Sequence, residues 1–519
     1  MSAWTRAPRL TACGAARTMA ETAPAVQRLP LTISIMLAAS MFTIDSTIAN
    51  VALPHMQGGL SAGLDQITWV LTSFIVAQAL MTPLVGWLAV RVGRRALMLG
   101  SIVVFTSASL ACGLAQNLEQ MILFRVVQGI GGAAFIPLSQ AILFDINPPE
   151  RHAQAMSIFG AGIVLGPIVG PALGGLITEV MNWRWVFLIN LPLGVMAFLG
   201  VYAFLPKAPL RTPPKFDFVG FAALSLFVAA LQLMLDRGPG EDWFQSWEIR
   251  IEAVLAAAGL YVFVMHTLTA ERPFFDRRLL TDRNFIMGSS ASFVVGMLMY
   301  ASLALLPPMM QNLMGYPVLE VGLVTMPRGV GMFVSMILVG RLVNLIDARI
   351  LMALGFLLNA LAAWQMTHFN LDMDAHLIVV SSVIQGLGLG LVFIPSNTLA
   401  FATVAGELRT EGASITTLVR NIGSAVGISV MQAIFLINMQ TSYSDLIQNV
   451  RPDNPVLGQI QSVDQLGVWV PEVARQAAMV SYISDFHLIM LLTLAATPLA
   501  FLMRPAKPAP QAGGMHAME

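Results

Sequence analysis

The sequence has little charge and almost no cysteine. Lys, Arg, Asp and Glu make up 11% of its 519 residues, against roughly a quarter in an ordinary soluble domain. Hydrophobic residues make up 56%, and the mean hydropathy is +0.74, so lipid must cover most of the exterior. The two cysteines, Cys13 and Cys112, lie before and inside the hydrophobic segments. A disulfide framework is therefore not expected.

The motifs of several functional classes are also missing. No group of Cys and His residues has metal-ligand spacing, and neither a Walker A nor a Rossmann glycine pattern occurs. We therefore expect no metal, no bound cofactor, no nucleic-acid partner and no enzymatic activity. The first 30 residues lack the apolar core of a cleaved signal peptide, and either Met1 or Met19 is the true start.

Fourteen apolar segments are long enough to cross a membrane, since a helix needs about 20 residues to span the bilayer core. The predicted spans are 31–54, 68–90, 96–116, 120–144, 153–178, 185–205, 218–236, 250–268, 285–308, 320–341, 349–369, 376–403, 411–438 and 483–503. With the N-terminus inside, 20 of the 28 Lys and Arg residues fall on the cytoplasmic side and 5 outside. Because basic residues concentrate in cytoplasmic loops, both termini are predicted to be cytoplasmic.

An internal duplication organises these spans. Residues 127–137 resemble residues 384–395 at an offset of 257 with one insertion, and residues 86–98 resemble residues 340–352 at an offset of 254. The offsets map the second span onto the tenth and the fourth onto the twelfth, so the two copies run in the same direction. Two parallel bundles of six helices are the architecture of the major facilitator superfamily.

The predicted organisation is an all-α membrane protein with two extra helices between two six-helix bundles. Its parts are a cytoplasmic tail (1–30), the N-terminal bundle (31–205), the extra pair with its loops (206–284), the C-terminal bundle (285–503) and a second cytoplasmic tail (504–519). Residues 439–482 form a polar outer loop within the C-terminal bundle. Two interpretations of this loop stay open: a solvated connection, or a docking surface for a periplasmic partner.

At this point the chain resembles the fourteen-span drug/proton antiporters of the EmrB/QacA type, and within them the EmrB branch. The resemblance extends from Leu31 to about Met503. The motifs that carry it are IDSTIANVALP (44–54), the fourth-helix pattern of Arg125, Gln128, Gly129 and Gly131, WRWVFLINLPLG (183–194) and LQLMLDRGPGEDWFQS (231–246). The resemblance implies a major facilitator fold and a proton as the coupling ion. It further implies a periplasmic adaptor and an outer-membrane channel as partners.

Two further motifs match the family. The fifth helix contains GPIVGPALGG, with Gly166, Pro167, Gly170, Pro171, Gly174 and Gly175; its small residues favour close helix approach and its prolines interrupt the hydrogen-bond ladder. The cytoplasmic signature contains Gly86, Arg91, Gly93, Arg94 and Arg95. Val90 stands where the superfamily usually has an acid. We therefore expect these arginines to act only as positive-inside anchors.

Asp45 is the candidate proton carrier, as the only carboxylate that lies deep inside a predicted span. An acid there costs about 2.5–3.5 kcal/mol, which favours a functional role over a merely structural ion pair. Arg125 is its predicted partner. At a rise of about 1.5 Å per residue, both residues reach a similar level in the outer half of the bilayer.

Other polar residues at span depth are weaker candidates. Arg328 and Arg420 either face a water-filled cavity or snorkel to helix ends. Gln128, Gln385 and Asn397 either line the cavity or form interhelical hydrogen bonds.

The predicted function is proton-driven efflux of hydrophobic compounds across a bacterial inner membrane. Two alternatives stay open: transport of a native metabolite such as a siderophore, sugar or lipid, and a membrane sensor or assembly factor that does not transport.

Overall fold

The computed structural model describes residues 25–207, 215–343, 345–450 and 463–504, and these residues contain helices and no strand. In the N-terminal half the helices are α1 (Ala25–Gly59), α2 (Leu64–Ile67), α3 (Trp69–Met81), α4 (Leu84–Val92), α5 (Arg94–Leu114), α6 (Leu118–Gly132), α7 (Phe135–Ile146), α8 (His152–Val180), α9 (Trp185–Leu188) and α10 (Asn190–Phe204). The middle pair is α11 (Phe218–Arg237) and α12 (Trp247–Thr269), followed by the short α13 (Arg277–Thr281). The C-terminal half contains α14 (Arg283–Pro308), α15 (Val318–Leu342), α16 (Ala348–Met366), α17 (Ala375–Phe401), α18 (Arg409–Ile447), α19 (Val463–Ala496) and α20 (Leu499–Leu502).

The helices agree with the predicted spans. Twelve helical segments of the described chain are long and apolar enough to cross a membrane, and the pair α3 and α4, bent by 59°, makes a thirteenth. The bend lies at Thr82 and Pro83, because proline removes a backbone donor and breaks the helix. Helix α8, with 29 residues, occupies the fifth predicted span. This arrangement is consistent with fourteen spans.

The two halves pack in the same way, as a duplication requires. In the N-terminal half α1 packs against α8 and α10, and α6 lies between α3 and α5. In the C-terminal half α14 packs against α18, and α17 lies between α15 and α16. The halves meet where α8 contacts α15, and where α4 and α7 contact α18.

The extra pair lies against both halves. Helices α11 and α12 pack together, and α11 contacts α3 of the N-terminal half and α18 of the C-terminal half. The Thr72 hydroxyl in α3 donates a hydrogen bond to the Asp236 carboxylate in α11. A polar contact therefore links the extra pair of helices to the N-terminal half.

Some boundaries differ from the prediction. Helix α18 continues to Ile447 and α19 begins at Val463, so much of the segment 439–482 is helical rather than loop. Helix α1 begins at Ala25, within the segment predicted as a cytoplasmic tail. Apolar windows mark only the lipid-covered part of a helix, and a helix can continue past that part with polar residues. Residues 1–24 and 505–519, which include Met1, Met19 and most of the predicted second tail, lie outside the described chain.

Candidate functional site

Asp45 lies at the centre of a buried hydrogen-bond network in the N-terminal half. Its side chain is fully buried. Arg125 Nη1 donates to Asp45 Oδ2 over 2.7 Å. Gln128 Nε2 donates to Asp45 Oδ1 over 2.8 Å, and Asn190 Nδ2 donates to the same oxygen over 2.7 Å. The carboxylate thus joins α1 to α6 and α10.

Arg125 is held from several other directions. Its Nη1 also donates to Gln128 Oε1 over 2.8 Å, and its Nε donates to the carbonyl oxygen of Val70 over 3.0 Å. The guanidinium carbon lies 4.0 Å from the ring centroid of Phe74 and 5.7 Å from that of Phe187. Aromatic faces attract a cation most strongly where water is excluded. Arg125 is therefore held in place by several contacts besides its hydrogen bond to Asp45.

The third donor, Asn190, was not among the site residues predicted from the sequence. Asn190 Nδ2 also lies 2.9 Å from Ser109 Oγ, and Ser109 in turn donates to the carbonyl oxygen of Phe187 over 2.8 Å. The residue opens α10, 145 positions from Asp45, and only the fold brings the two together. A polar residue at the start of an apolar span is the one available signal.

The hydrogen bonds around Asp45 and Arg125 depend on the opposite charges of the pair. A buried ion pair is tolerated only when further hydrogen bonds complete it, and here three donors complete Asp45. Two atoms of this network have no hydrogen-bond partner among the described residues, the Asn190 Oδ1 acceptor and the Arg125 Nη2 donor. Protonation of Asp45 would remove the charge that holds Arg125 Nη1 and leave the cation with Gln128 and Val70. The pair is therefore a candidate switch between two arrangements of α1 and α6.

A second buried carboxylate corrects the sequence analysis, which took Asp45 as the only acid deep in a span. Asp485 is fully buried in α19, and neither of its carboxylate oxygens has a hydrogen-bond partner among the described residues. The prediction was wrong because the span was placed at 483–503. The apolar helical segment runs from Trp469 to Leu502, so this acid lies near its middle and not at its edge.

The three buried amides that were predicted to line a cavity or bond between helices lie in different parts of the structure. Gln128 belongs to the Asp45 network. Gln385 is buried in α17 and donates from Nε2 to Ser302 Oγ over 2.7 Å. Asn397 is also buried, and its Nδ2 donates to the carbonyl oxygen of Phe393 over 2.8 Å, within its own helix. Gln128 and Gln385 thus form hydrogen bonds between helices, whereas the hydrogen bond of Asn397 lies within α17.

The glycines of the fifth-span motif pack α8 against α1. A Cβ atom at Gly166 would lie 2.6 Å from the backbone carbonyl carbon of Thr43, and one at Gly170 would lie 2.1 Å from Thr47 Oγ1. Thr47 Oγ1 also donates to the carbonyl oxygen of Gly166 over 3.1 Å. At Gly175 the same test finds no atom within 4 Å. The close approach therefore involves Gly166 and Gly170, in the helix that neighbours Asp45.

An ionic cluster joins the two halves at the ends that are predicted to be cytoplasmic. Arg94, in the signature motif, pairs with Asp145 at the end of α7. Arg409, the first residue of α18, lies 3.3 Å from the same carboxylate and donates to the Phe144 carbonyl oxygen over 3.1 Å. The Phe144 and Phe401 rings pack with centroids 5.1 Å apart. Arg94 is thus more than the positive-inside anchor that the sequence analysis expected.

The other residues of the signature have separate roles. A Cβ atom at Gly86 would lie 3.0 Å from Cα of Glu411, so glycine lets α4 approach α18. Gly93 has a φ of +86°, a conformation that glycine adopts readily, and it separates α4 from α5. Arg95 Nη2 donates to the carbonyl oxygen of Tyr202 over 2.6 Å, and Arg91 lies over the ring of Trp87 at 5.0 Å.

Comparison with known proteins agrees with this architecture. The profile of the Major Facilitator Superfamily matches residues 35–428. The chain belongs to the major facilitator superfamily. It is 33% identical over 499 residues to the multidrug export protein EmrB of Escherichia coli strain K12, covering 94% of this chain and 98% of that protein. It is 32% identical to the fatty acid resistance protein FarB of Neisseria gonorrhoeae, covering 94% and 97%. Among solved structures, the human organic anion transporter MFSD10 has the same fold, with a TM-score of 0.60 at 16% identity over 91% of this chain and all of that one.

The superfamily's internal repeat shows that the ion pair occupies one half only. At the offset of 257, Asp45 corresponds to Ser302, Arg125 to Ser382 and Gln128 to Gln385. The hydrogen bond from Gln128 to Asp45 recurs as the bond from Gln385 to Ser302, at 2.8 and 2.7 Å. The C-terminal half thus keeps the geometry of the superfamily repeat with neutral side chains in place of the charges.

The missing acid of the superfamily's cytoplasmic signature has a local substitute. Val90 cannot form an ion pair, but Asp145 receives Arg94 from its own half and Arg409 from the other. A single carboxylate thus contacts cations on both sides of the seam. The two halves therefore share an ionic contact near this signature.

Proposed function

We propose that this protein is a proton-coupled exporter of hydrophobic drugs and toxic compounds. It would work by alternating access in a bacterial inner membrane. The observation that carries the proposal is the fully buried Asp45, bound by Arg125, Gln128 and Asn190. Similarity to EmrB over almost the whole length of both proteins supports the choice of substrate class.

The proton would enter from the periplasmic side and bind a carboxylate oxygen of Asp45. Neutral Asp45 no longer compensates the charge of Arg125, and leaving one member of a buried pair uncompensated costs about 3–5 kcal/mol. A proton that crosses the membrane supplies about 2.3 kcal/mol per 100 mV. This energy is of the size needed to favour a rearrangement of α1 and α6, after which the proton leaves to the cytoplasm.

The rearrangement would alternate with closure of the cytoplasmic face. Arg94, Asp145 and Arg409 hold the two halves together there. Opening of this cluster would expose the central cavity to drug in the cytoplasm, and closing would precede release outward. The proton is the coupling ion in this cycle, and no other cofactor takes part.

Assembly with a periplasmic adaptor and an outer-membrane channel is also proposed. The resemblance to the EmrB branch supports it. The helical extensions of α18 and α19 beyond the apolar core offer a surface for an adaptor. Co-purification of the intact chain with a co-expressed adaptor tests this assembly.

Drug accumulation in inverted membrane vesicles tests the coupling role. With an imposed proton gradient, Asp45→Asn should accumulate at most a tenth of the drug that the unaltered protein accumulates. Asp45→Glu, which keeps the carboxylate, should retain part of the activity. Ser302→Ala, at the repeat-related position, is the matched control and should transport normally. Since Asp45→Asn leaves Arg125 unpaired, the double variant Asp45→Asn/Arg125→Gln provides a second test with no uncompensated charge. Gradient-driven accumulation at the normal rate in either correctly inserted variant overturns the proposal.

A further inference from the structure

Two arginines in the C-terminal half have no acidic partner. Arg328 lies in α15, and its Nη2 donates to the carbonyl oxygen of Met299 over 2.6 Å. Arg420 lies in α18, where its guanidinium carbon is 5.6 Å from the ring centroid of Phe393. Neither guanidinium forms an ion pair with any residue that the structure describes. This differs from Arg125, whose charge is matched by Asp45.

Both arginines contact the same helix, α14. Met299, which accepts the hydrogen bond from Arg328, is next to Tyr300 in α14, and a Cβ atom at Gly296 in the same helix would lie 3.1 Å from Arg420 Cγ. The nearest acids on the same helices are Glu320 and Glu411, each in the first turn. At about 1.5 Å per residue they lie roughly 12 to 14 Å away along the helix axis. The region therefore has an excess of two positive charges and no compensating carboxylate.

Both arginines lie near the middle of the membrane. Arg328 is ten residues from the outer end of α15, and Arg420 is eleven residues from the cytoplasmic end of α18. These separations correspond to about 15 and 17 Å in an apolar core of about 30 Å. A cation at this depth is costly unless water or an anion meets it.

Arg420 is directed toward the seam between the halves. Its neighbour Phe393 lies at the contact of α17 with α8, where a Cβ atom at Gly160 would be 3.6 Å from Phe393 Cε1. Both arginines keep part of their surface accessible. In alternating access, the substrate passes through the interface between the two halves.

We infer that Arg328 and Arg420, with Tyr300, form a binding site for the acidic headgroup of an amphipathic organic anion. This inference rests on the proposed export function and specifies its substrate. The guanidinium fork matches a carboxylate with two parallel hydrogen bonds, and the Tyr300 hydroxyl supplies a further donor. The apolar helices around the site accept a hydrocarbon tail. Binding of the anion offsets the charge excess, and the site disfavours a cation of the same shape.

Equilibrium binding to the full chain in nanodiscs tests the site without any proton gradient. The discs contain only phosphatidylcholine, so that no anionic lipid is present. Dodecanoate and dodecyltrimethylammonium, which share one alkyl chain, are compared near neutral pH. A charge-assisted hydrogen bond makes a difference of roughly ten- to a hundredfold in affinity. We expect dodecanoate to bind at least tenfold more tightly than the cation, and Arg328→Gln and Arg420→Gln each to weaken dodecanoate binding about tenfold or more.

Two further variants separate the headgroup contact from general damage. Arg420→Lys keeps the charge without the fork, and its affinity should lie between those of the unaltered protein and Arg420→Gln. Arg341→Gln removes an exposed arginine from the cytoplasmic end of the same helix as Arg328, and dodecanoate binding should not change.

The outcomes that contradict the inference are distinct from those that contradict the proposed function. Equal affinity for the two amphiphiles, or unchanged dodecanoate binding in both glutamine variants, overturns the anion site. Displacement of dodecanoate by added phosphatidylglycerol also overturns it, because the occupant would then be a lipid headgroup. Asp45→Asn should bind dodecanoate normally in this assay, so failure of proton coupling leaves the binding result intact.

Discussion

Asp45 accepts one hydrogen bond from a charged donor and two from neutral amides, and these bonds come from α6 and α10. A hydrogen bond to a charged group contributes about 1.5–3 kcal/mol, whereas one between neutral groups contributes about 0.5–1.5 kcal/mol. The same glutamine geometry occurs twice in this chain, once against a carboxylate and once against a hydroxyl. The free energies of a charged and a neutral hydrogen bond can therefore be compared within this one protein.

Replacement of the two glutamines by methionine measures this difference. Gln128→Met removes a donor from Asp45 and should lower the free energy of unfolding by about 1.5–3 kcal/mol. Gln385→Met removes the corresponding donor from Ser302 and should cost about 0.5–1.5 kcal/mol. Thermal unfolding of the detergent-solubilised variants gives the comparison. An equal or larger effect of Gln385→Met would show that Asp45 is not held as a charged acceptor.

The residues of this network differ in how far the sequence reveals them. Asp45 and Arg125 stand out because charge is rare in apolar spans, and their depth predicted their pairing. Asn190 and Ser109 do not stand out, since neutral polar residues occur in most of the spans. Asp485 was placed at a span edge because the polar first half of α19 hides the helix from a hydropathy window.

At the scale of helices, the contact between α1 and α8 determines how Asp45 can move. Thr43 Oγ1 donates to the carbonyl oxygen of Ile163 over 3.2 Å, and Ser40 Oγ donates to that of Gly162 over 2.9 Å. With the bond from Thr47 to Gly166, a row of hydroxyls in α1 bonds to the backbone of α8. The sequence predicted close approach from the glycine spacing, but it did not predict that α1 would be the partner.

Alanine substitutions at two glycines of α8 test whether the close packing of α8 against α1 requires glycine at Gly166. Gly166→Ala places a methyl group 2.6 Å from the Thr43 backbone and should destabilise the protein by about 1–3 kcal/mol, the usual cost of overpacking. Gly175→Ala in the same helix meets nothing within 4 Å. It should leave stability equal or slightly higher, since alanine favours helix over glycine. Thermal unfolding and drug efflux of the two variants test this; similar losses in both would contradict the packing role of Gly166.

At the scale of the whole molecule, the two halves are related by the repeat but differ in charge. The N-terminal half contains a matched ion pair, and in the C-terminal half Arg328 and Arg420 pair with no carboxylate among the described residues. The sequence was sufficient for the helical membrane fold, the repeat and the family, because periodicity and composition determine these. It was not sufficient for the cytoplasmic cluster, in which Arg94, Asp145 and Arg409 come from distant segments.

The cytoplasmic cluster should control the balance between closed and open states. Arg409→Gln removes the cation that crosses the seam and weakens the closed state, while Arg349→Gln removes a cytoplasmic arginine that pairs only with its neighbour Asp347 in the described chain. Distances between spin labels on the cytoplasmic ends of α5 and α15 report the opening. We expect a larger population of long distances for Arg409→Gln and an unchanged distribution for Arg349→Gln. Identical distributions for the two variants would show that Asp145 does not hold the seam closed.

The central claim is that Asp45 exchanges protons against drug. Its most direct test is proton flux in sealed proteoliposomes that contain a pH-sensitive dye, with a drug gradient as the only driving force. The unaltered protein should move protons against the drug, and both Asp45→Asn and Asp45→Asn/Arg125→Gln should move drug down its gradient without proton movement. Full drug-dependent proton flux in these variants would contradict the account.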